Sequence, residues 1–161
     1  PAKFGRKGRR LRALLNTEDV MPTLLGLSGV IIPKTVEGLD FSQLIEGGKN
    51  PNDGAALISC PAPFGQWARR WGGREFRGIR TVNHTYVEDL RGPWLMFDNE
   101  NDPYQLNNLL ANPGNEKLAK GLREILRRKL KETNDEFLPG HSYVKKWGYP
   151  LDKTGTVPYK N

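Results

Sequence analysis

With 161 residues, 37% hydrophobic side chains and a mean hydropathy of −0.64, the chain can bury one ordinary core and is polar overall. No apolar run approaches the roughly 18 residues of a bilayer-spanning helix, and the lone Cys60 excludes an internal disulfide framework or a multi-cysteine metal site. The net charge of +7 belongs to one arm: residues 1–12 carry six cations (Lys3, Arg6, Lys7, Arg9, Arg10, Arg12) and no acid, so the remaining body is almost neutral.

Pro1 to Arg12 has no apolar period and reads as a loop. Thr17 as N-cap, then Glu18 and Asp19 at the positive end of a helix dipole, open a helix predicted over residues 18–28. Val20, Leu24 and Leu27 recur at i, i+4 and i+7 along it, with Met21 and Leu25 alongside, and Gly29 stops it. Val30 to Pro33 is an extended exit, and Ser42 to Ile45 a short helical turn. Gly47 to Gly54 is a loop, and the apolar run Ala55 to Ser59 a buried strand. Cys60 to Gly73 is proline-punctuated and aromatic without periodicity.

From Phe76 to Glu88 β-forming residues alternate, with Ile79, Thr81, Thr85 and Val87 on one parity and Val82, His84 and Tyr86 on the other. Leu90 to Pro93 is the reversal and Trp94 to Asp98 the returning strand of a hairpin. A long helix over 115–133 follows, with Leu118, Leu122, Ile125, Leu126 and Leu130 as its apolar stripe. Asn134 to Asn161, rich in Gly, Pro, Trp and Tyr, is expected to wrap the surface without regular elements. No internal repeat is visible.

The stretch Phe64-Gly65-Gln66-Trp67-Ala68-Arg69-Arg70-Trp71-Gly72-Gly73-Arg74 is the best candidate for ligand contact. Guanidinium groups fork onto anionic oxygens and indole faces stack on sugar or aryl rings. Trp67, Arg69, Arg70 and Trp71 therefore form the candidate substrate-binding set. The alternative is that both tryptophans pack the loop down and the arginines are solvated. Asp98, Glu100 and Asp102 alternate as at the start of a calcium loop, but the sixth and twelfth positions are Pro103 and Leu109 instead of Gly and Glu. They read instead as turn formers between Trp94-Leu95-Met96-Phe97 and Leu109-Leu110. His84 and His141 stand 57 positions apart with no partner at ligand spacing, so no metal site is expected. The basic arm could meet phosphate backbone, but it lacks interleaved aromatics apart from Phe4; a solvated loop is expected, with no nucleic-acid partner.

Asp98-Asn99-Glu100-Asn101-Asp102-Pro103-Tyr104-Gln105-Leu106-Asn107-Asn108-Leu109 resembles the segment found near the C-terminus of formylglycine-dependent (type I) sulfatases of the alkaline phosphatase superfamily. The resemblance extends through Gly8-Arg9-Arg10 and Asn16 to Leu27, Ile32-Pro33, Val36 to Ser42, Arg77 to Thr81 with Tyr86-Val87, Phe137 to Gly140, and Trp147-Gly148-Tyr149. It implies a sulfuric ester hydrolase whose formylglycine, calcium ligands and transition-state cations all lie upstream of Pro1. The C/S-x-P-x-R formylglycine motif is not met at Cys60, which is followed by Pro61, Ala62, Pro63 and Phe64; a small buried thiol at a strand end is expected there.

The implied fold class is α+β: a small antiparallel sheet packed with one long C-terminal helix, preceded by the last helix and strand of a truncated α/β domain. Residues 1–60 are expected to be that remnant and residues 61–161 the C-terminal subdomain. No catalytic or metal residue and no cofactor is expected in the chain itself, the parent being implied to use calcium and formylglycine. The implied partners are the missing N-terminal sulfatase domain and a sulfated small molecule or glycan, with no membrane partner; a periplasmic or secreted location follows from the resemblance. A stand-alone module that binds an anionic ligand, a sulfated glycan or nucleic acid, through the Trp/Arg loop or the basic arm is the competing expectation.

Overall fold

The computed structural model describes residues 8, 10–153 and 157–158. Lys3, Arg6, Lys7 and Arg9 of the basic arm therefore lie outside the described residues. The chain divides into two compact units, residues 1–56 with 80–82 and residues 57–79 with 83–161.

In the first unit a 3-10 turn, Thr17–Asp19, leads into α1, Val20–Leu27. The N-terminal capping residue is Asn16 rather than Thr17, because the Asp19 carboxylate reaches back to the Asn16 N–H at 2.7 Å. Asp19, only 3% exposed, also accepts from the Leu39 N–H at 2.7 Å, while the Thr23 hydroxyl accepts from the Phe41 N–H at 3.0 Å. These bonds lay residues 38–42 along the small-residue side of α1, and α2, Ser42–Ile45, follows. The approach is close enough to require glycine: a Cβ on Gly38 would stand 2.0 Å from the Glu18 carbonyl oxygen. The side of α1 that is buried carries Pro22 and Thr23, whereas Val20, Met21 and Leu24 are 45%, 51% and 58% exposed.

The sheet is four-stranded and antiparallel, with β1 (Ala56–Cys60), β2 (Phe76–Arg80), β3 (His84–Asp89) and β4 (Gly92–Asp98) side by side in chain order. The alternation expected to run unbroken from Phe76 to Glu88 is interrupted at residues 81–83, which separate β2 from β3. Thr85 to Asp89 are all buried, so in β3 both parities are covered, and the sequence pattern of a one-sided strand did not apply. The β3–β4 reversal is also tighter than expected, since Asp89 pairs with Gly92 and Glu88 with Pro93, leaving only Leu90 and Arg91 in the turn. Pro93 is tolerated because β4 is an edge strand and the ladder is irregular between Val87 and Glu88.

The polar segment after β4 is a scaffold of side-chain caps. Asp98 accepts from the Glu100 and Asn101 N–H groups, both at 2.9 Å, and Asp102 from the Asn107 N–H at 2.8 Å. Hydrogen bonds from the Asn101 amide and backbone hold the Asp98 carboxyl below its ordinary value. Asn108 then stitches the segment to the sheet edge, accepting from the Met96 N–H and donating to the Trp94 carbonyl, each at 3.0 Å. Gln105, at φ 55°, donates to the Thr85 hydroxyl at 3.0 Å.

The long helix α3, Glu116–Glu132, buries Leu122 and the fully covered Leu126, with Ile79, Tyr86 and Met96 as the other fully covered apolar residues of this unit. Residues after 133 are not wholly irregular, because α4, Gly140–Lys146, forms there. Pro139 supplies its entry and Gly140 takes the backbone close to Pro61, where a Cβ would meet the carbonyl oxygen at 2.7 Å. A buried cation organises this region. Arg77 on β2, 1% exposed, forms an ion pair with Asp135, and its guanidinium lies 5.0 Å from the Phe137 ring centre and 5.6 Å from that of Tyr143. The Tyr143 hydroxyl donates to Asp135 and accepts from the Leu138 N–H at 3.0 Å, while the Phe137 N–H donates to Asp135 at 2.9 Å.

Candidate functional site

The segment between β1 and β2 folds as two 3-10 turns, Gly65–Trp67 and Arg69–Trp71. Gly73 lets the chain double back on itself; a Cβ there would lie 1.6 Å from the Trp67 carbonyl oxygen. The Trp67 indole stacks on Trp94 of β4, with ring centres 6.4 Å apart and planes 19° from parallel. Arg74 places its guanidinium 4.4 Å from the Trp94 ring centre. Trp67 therefore packs the loop down onto β4 through one ring face. Trp71 does not: it is 69% exposed, with Arg70 at 5.8 Å from its ring centre, and Phe64 beside this loop is 83% exposed.

Arg69 turns the other way and forms an ion pair with Glu75, whose side chain is 2% exposed against 58% for the arginine. Glu75 also accepts from the Gly140 N–H at 2.8 Å. Burial disfavours its charge, but the Gly140 bond and Arg69 prevail and lower its carboxyl pKa. Asp89, at the end of β3, accepts from Arg74 at 2.9 Å and from Arg91 at 3.0 Å, and its pKa is lowered because the Arg91 and Arg74 bonds outweigh desolvation. Arg69, Arg74, Glu75, Asp89, Leu90 and Arg91 together line an open cavity of about 240 Å³.

Of the four residues expected to contact a ligand, Arg69 lines this cavity, Trp67 joins the adjoining ring stack, and Arg70 and Trp71 form a separate exposed pair. Sequence reasoning missed Arg91, Glu75, Asp89 and Trp94. The Asp89-Leu90-Arg91 spacing was an available signal, since the Asp89 carboxylate takes the Arg91 N–H at 2.8 Å as a hairpin-turn cap.

The remaining chemistry-bearing residues stand apart from the cavity. Cys60 ends β1 part-exposed, not buried as expected, because the strand closes there; burial and the nearby Glu75 charge still raise its thiol pKa. His84 faces Asp98 across the β3–β4 ladder, and His141 lies exposed on α4. Among the described residues no three His, Cys, Asp or Glu side chains gather as a metal site would require, so calcium does not fit here and no chemical step is assigned to it.

Residues 1–132 match the family described as N-sulphoglucosamine sulphohydrolase, C-terminal. The chain is 42% identical over 154 residues to an ulvan-active sulfatase of Formosa agariphila, covering 95% of this chain and 30% of that protein. It is 30% identical over 148 residues to an arylsulfatase of Clostridium perfringens, covering 91% and 28%. A structure solved in complex with its substrate, D-glucosamine-2-N,6-O-disulfate, superposes with a TM-score of 0.61 at 26% identity, covering 73% of this chain and 24% of that one. The chain thus spans about three tenths of the length of the curated relatives it matches. It belongs to the N-sulphoglucosamine sulphohydrolase C-terminal family and is the C-terminal part of a sulfatase of the alkaline phosphatase superfamily.

Proposed function

We propose that this chain completes a sulfuric ester hydrolase by forming one wall of its substrate cleft. The carrying observation is the 42% identity to a sulfatase across 95% of the chain. In this reading the formylglycine nucleophile and calcium belong to the part of the protein preceding Pro1. The residues before β1 are the closing remnant of the large α/β domain, β1 onward the C-terminal subdomain, and the exposed Val20, Met21 and Leu24 of α1 the surface that the large domain covers. Trp67, Arg69, Arg70 and Trp71 present ring faces and guanidinium groups to a sulfated small molecule or glycan, which fits cleft shaping better than bond breaking. A periplasmic or secreted location is proposed from the family resemblance alone.

The test is sulfate release from an aryl sulfate by the full-length protein and by these 161 residues alone. The expected result is turnover by the former and none by the latter, together with a C/S-x-P-x-R motif in the preceding sequence. Turnover by the 161 residues alone, or a preceding sequence without that motif, would overturn the assignment.

A further inference from the structure

We infer that the cleft between the Trp/Arg loop and the β3–β4 turn binds a second, non-reacting anionic group of an acidic saccharide. This deepens the sulfatase reading and rests on it only for the identity of the substrate. The cleft is built with its acids as floor and its cations as rim. Glu75 and Asp89 side chains are 2% and 7% exposed, while those of Arg69, Arg74 and Arg91 are 58%, 35% and 78% exposed. Three guanidinium groups against two carboxylates leave one positive charge over, the complement of a single sulfate or carboxylate.

The buried acids hold the arginines in place without exhausting them. The ion pairs engage Nη2 of Arg69, Nη1 of Arg74, and Nε and Nη2 of Arg91. A guanidinium has five N–H donors, so each retains donors for an incoming oxygen. Each is also pre-oriented by its carboxylate, so less side-chain entropy is lost on binding. The cavity of about 240 Å³ opens to solvent, and Arg74 of its lining also lies 4.4 Å from the ring centre of Trp94, on which Trp67 stacks at 6.4 Å. Anionic oxygens in the cleft and a pyranose ring near the indoles would be met at once.

The experiment measures binding of a heparin-derived tetrasaccharide and its fully desulfated, re-acetylated counterpart to the full-length protein by calorimetry. Wild type binds the sulfated form, and the desulfated form weakly or not at all. Arg91→Gln raises the Kd by about fivefold, the upper range for one exposed guanidinium, and because Asp89 keeps Arg74 as a partner the fold is retained with at most a small fall in melting temperature. Arg69→Gln, on the opposite wall, gives a loss of the same size. Lys120→Gln, exposed on α3, removes a charge elsewhere and serves as the control. No binding by wild type, an Arg91→Gln Kd within twofold of wild type, or an equal loss in Lys120→Gln would overturn the inference. The sulfatase reading fails by a different measurement, the absence of sulfate release, so the two failures are distinguishable.

Discussion

Removing the carboxylate of Asp135 strands a cation in the interior. Arg77 is 1% exposed, and Asp135, at 18%, is its anionic partner. Breaking one member of a buried pair costs about 3–5 kcal/mol; because water reaches Asp135, the lower end, about 3 kcal/mol, applies to Asp135→Ala. The Phe137 N–H and the Tyr143 hydroxyl lose the same acceptor, so the damage concentrates on the turn into α4. Hydrogen exchange in the full-length protein reads this locally: protection of β2 and α4 amides falls by about two orders of magnitude. Arg77→Met/Asp135→Ala, which removes both charges, recovers most of that protection. Burial disfavours the Asp135 charge, yet the Arg77, Tyr143 and Phe137 bonds outweigh it and lower the folded-state pKa. A lowered carboxyl pKa means the stabilisation is complete above the unfolded value, near pH 4, and is lost as pH falls through the folded one. Asp135→Ala therefore flattens the acid limb of the stability curve. A loss of protection under tenfold, or a double variant as unprotected as the sum of the two singles, would refute this account of Arg77.

Asn108→Ala deletes the link from the polar segment to β4, with an expected cost of about 1–2 kcal/mol and increased exchange at Met96, whose N–H loses its acceptor. Gly78→Ala drives a Cβ to 2.6 Å from the Tyr86 carbonyl oxygen and 2.9 Å from Val87, which lowers stability by about 1–3 kcal/mol in thermal unfolding. Gly121→Ala, in open space within α3, goes the other way and raises stability by about 1 kcal/mol through helix propensity.

Legibility in the sequence follows the range of the interactions. The 3.6-residue stripe of α3 and the turn chemistry of Asp98 to Asn108 are short-range, and both can be read from the residues alone. The break at residues 81–83 cannot: Thr81 and Val82 are good β-formers, and only the meander requires a reversal there. α4 is hidden because Gly140 and the flanking Pro139 argue against a helix, whereas the close approach to Pro61 and the bond to Glu75 require them. At the candidate site the Trp and Arg residues stand out by type. Their division between packing and presentation is set by pairings with Trp94 of β4, with Asp89 of β3 and with Glu75, and those pairings leave no mark in the loop itself.

The seating of α1 has a practical corollary. A helix that lodges proline and threonine inward while turning valine, methionine and leucine to water becomes stickier when water is made a poorer host for hydrocarbon. Sulfate or phosphate buffers should therefore promote self-association of the excised polypeptide, while chloride at matched ionic strength has far less effect. Contacts made by arginines would respond in the opposite sense, weakening as ions accumulate. The choice of salt alone thus separates an oily seam from a charged cleft.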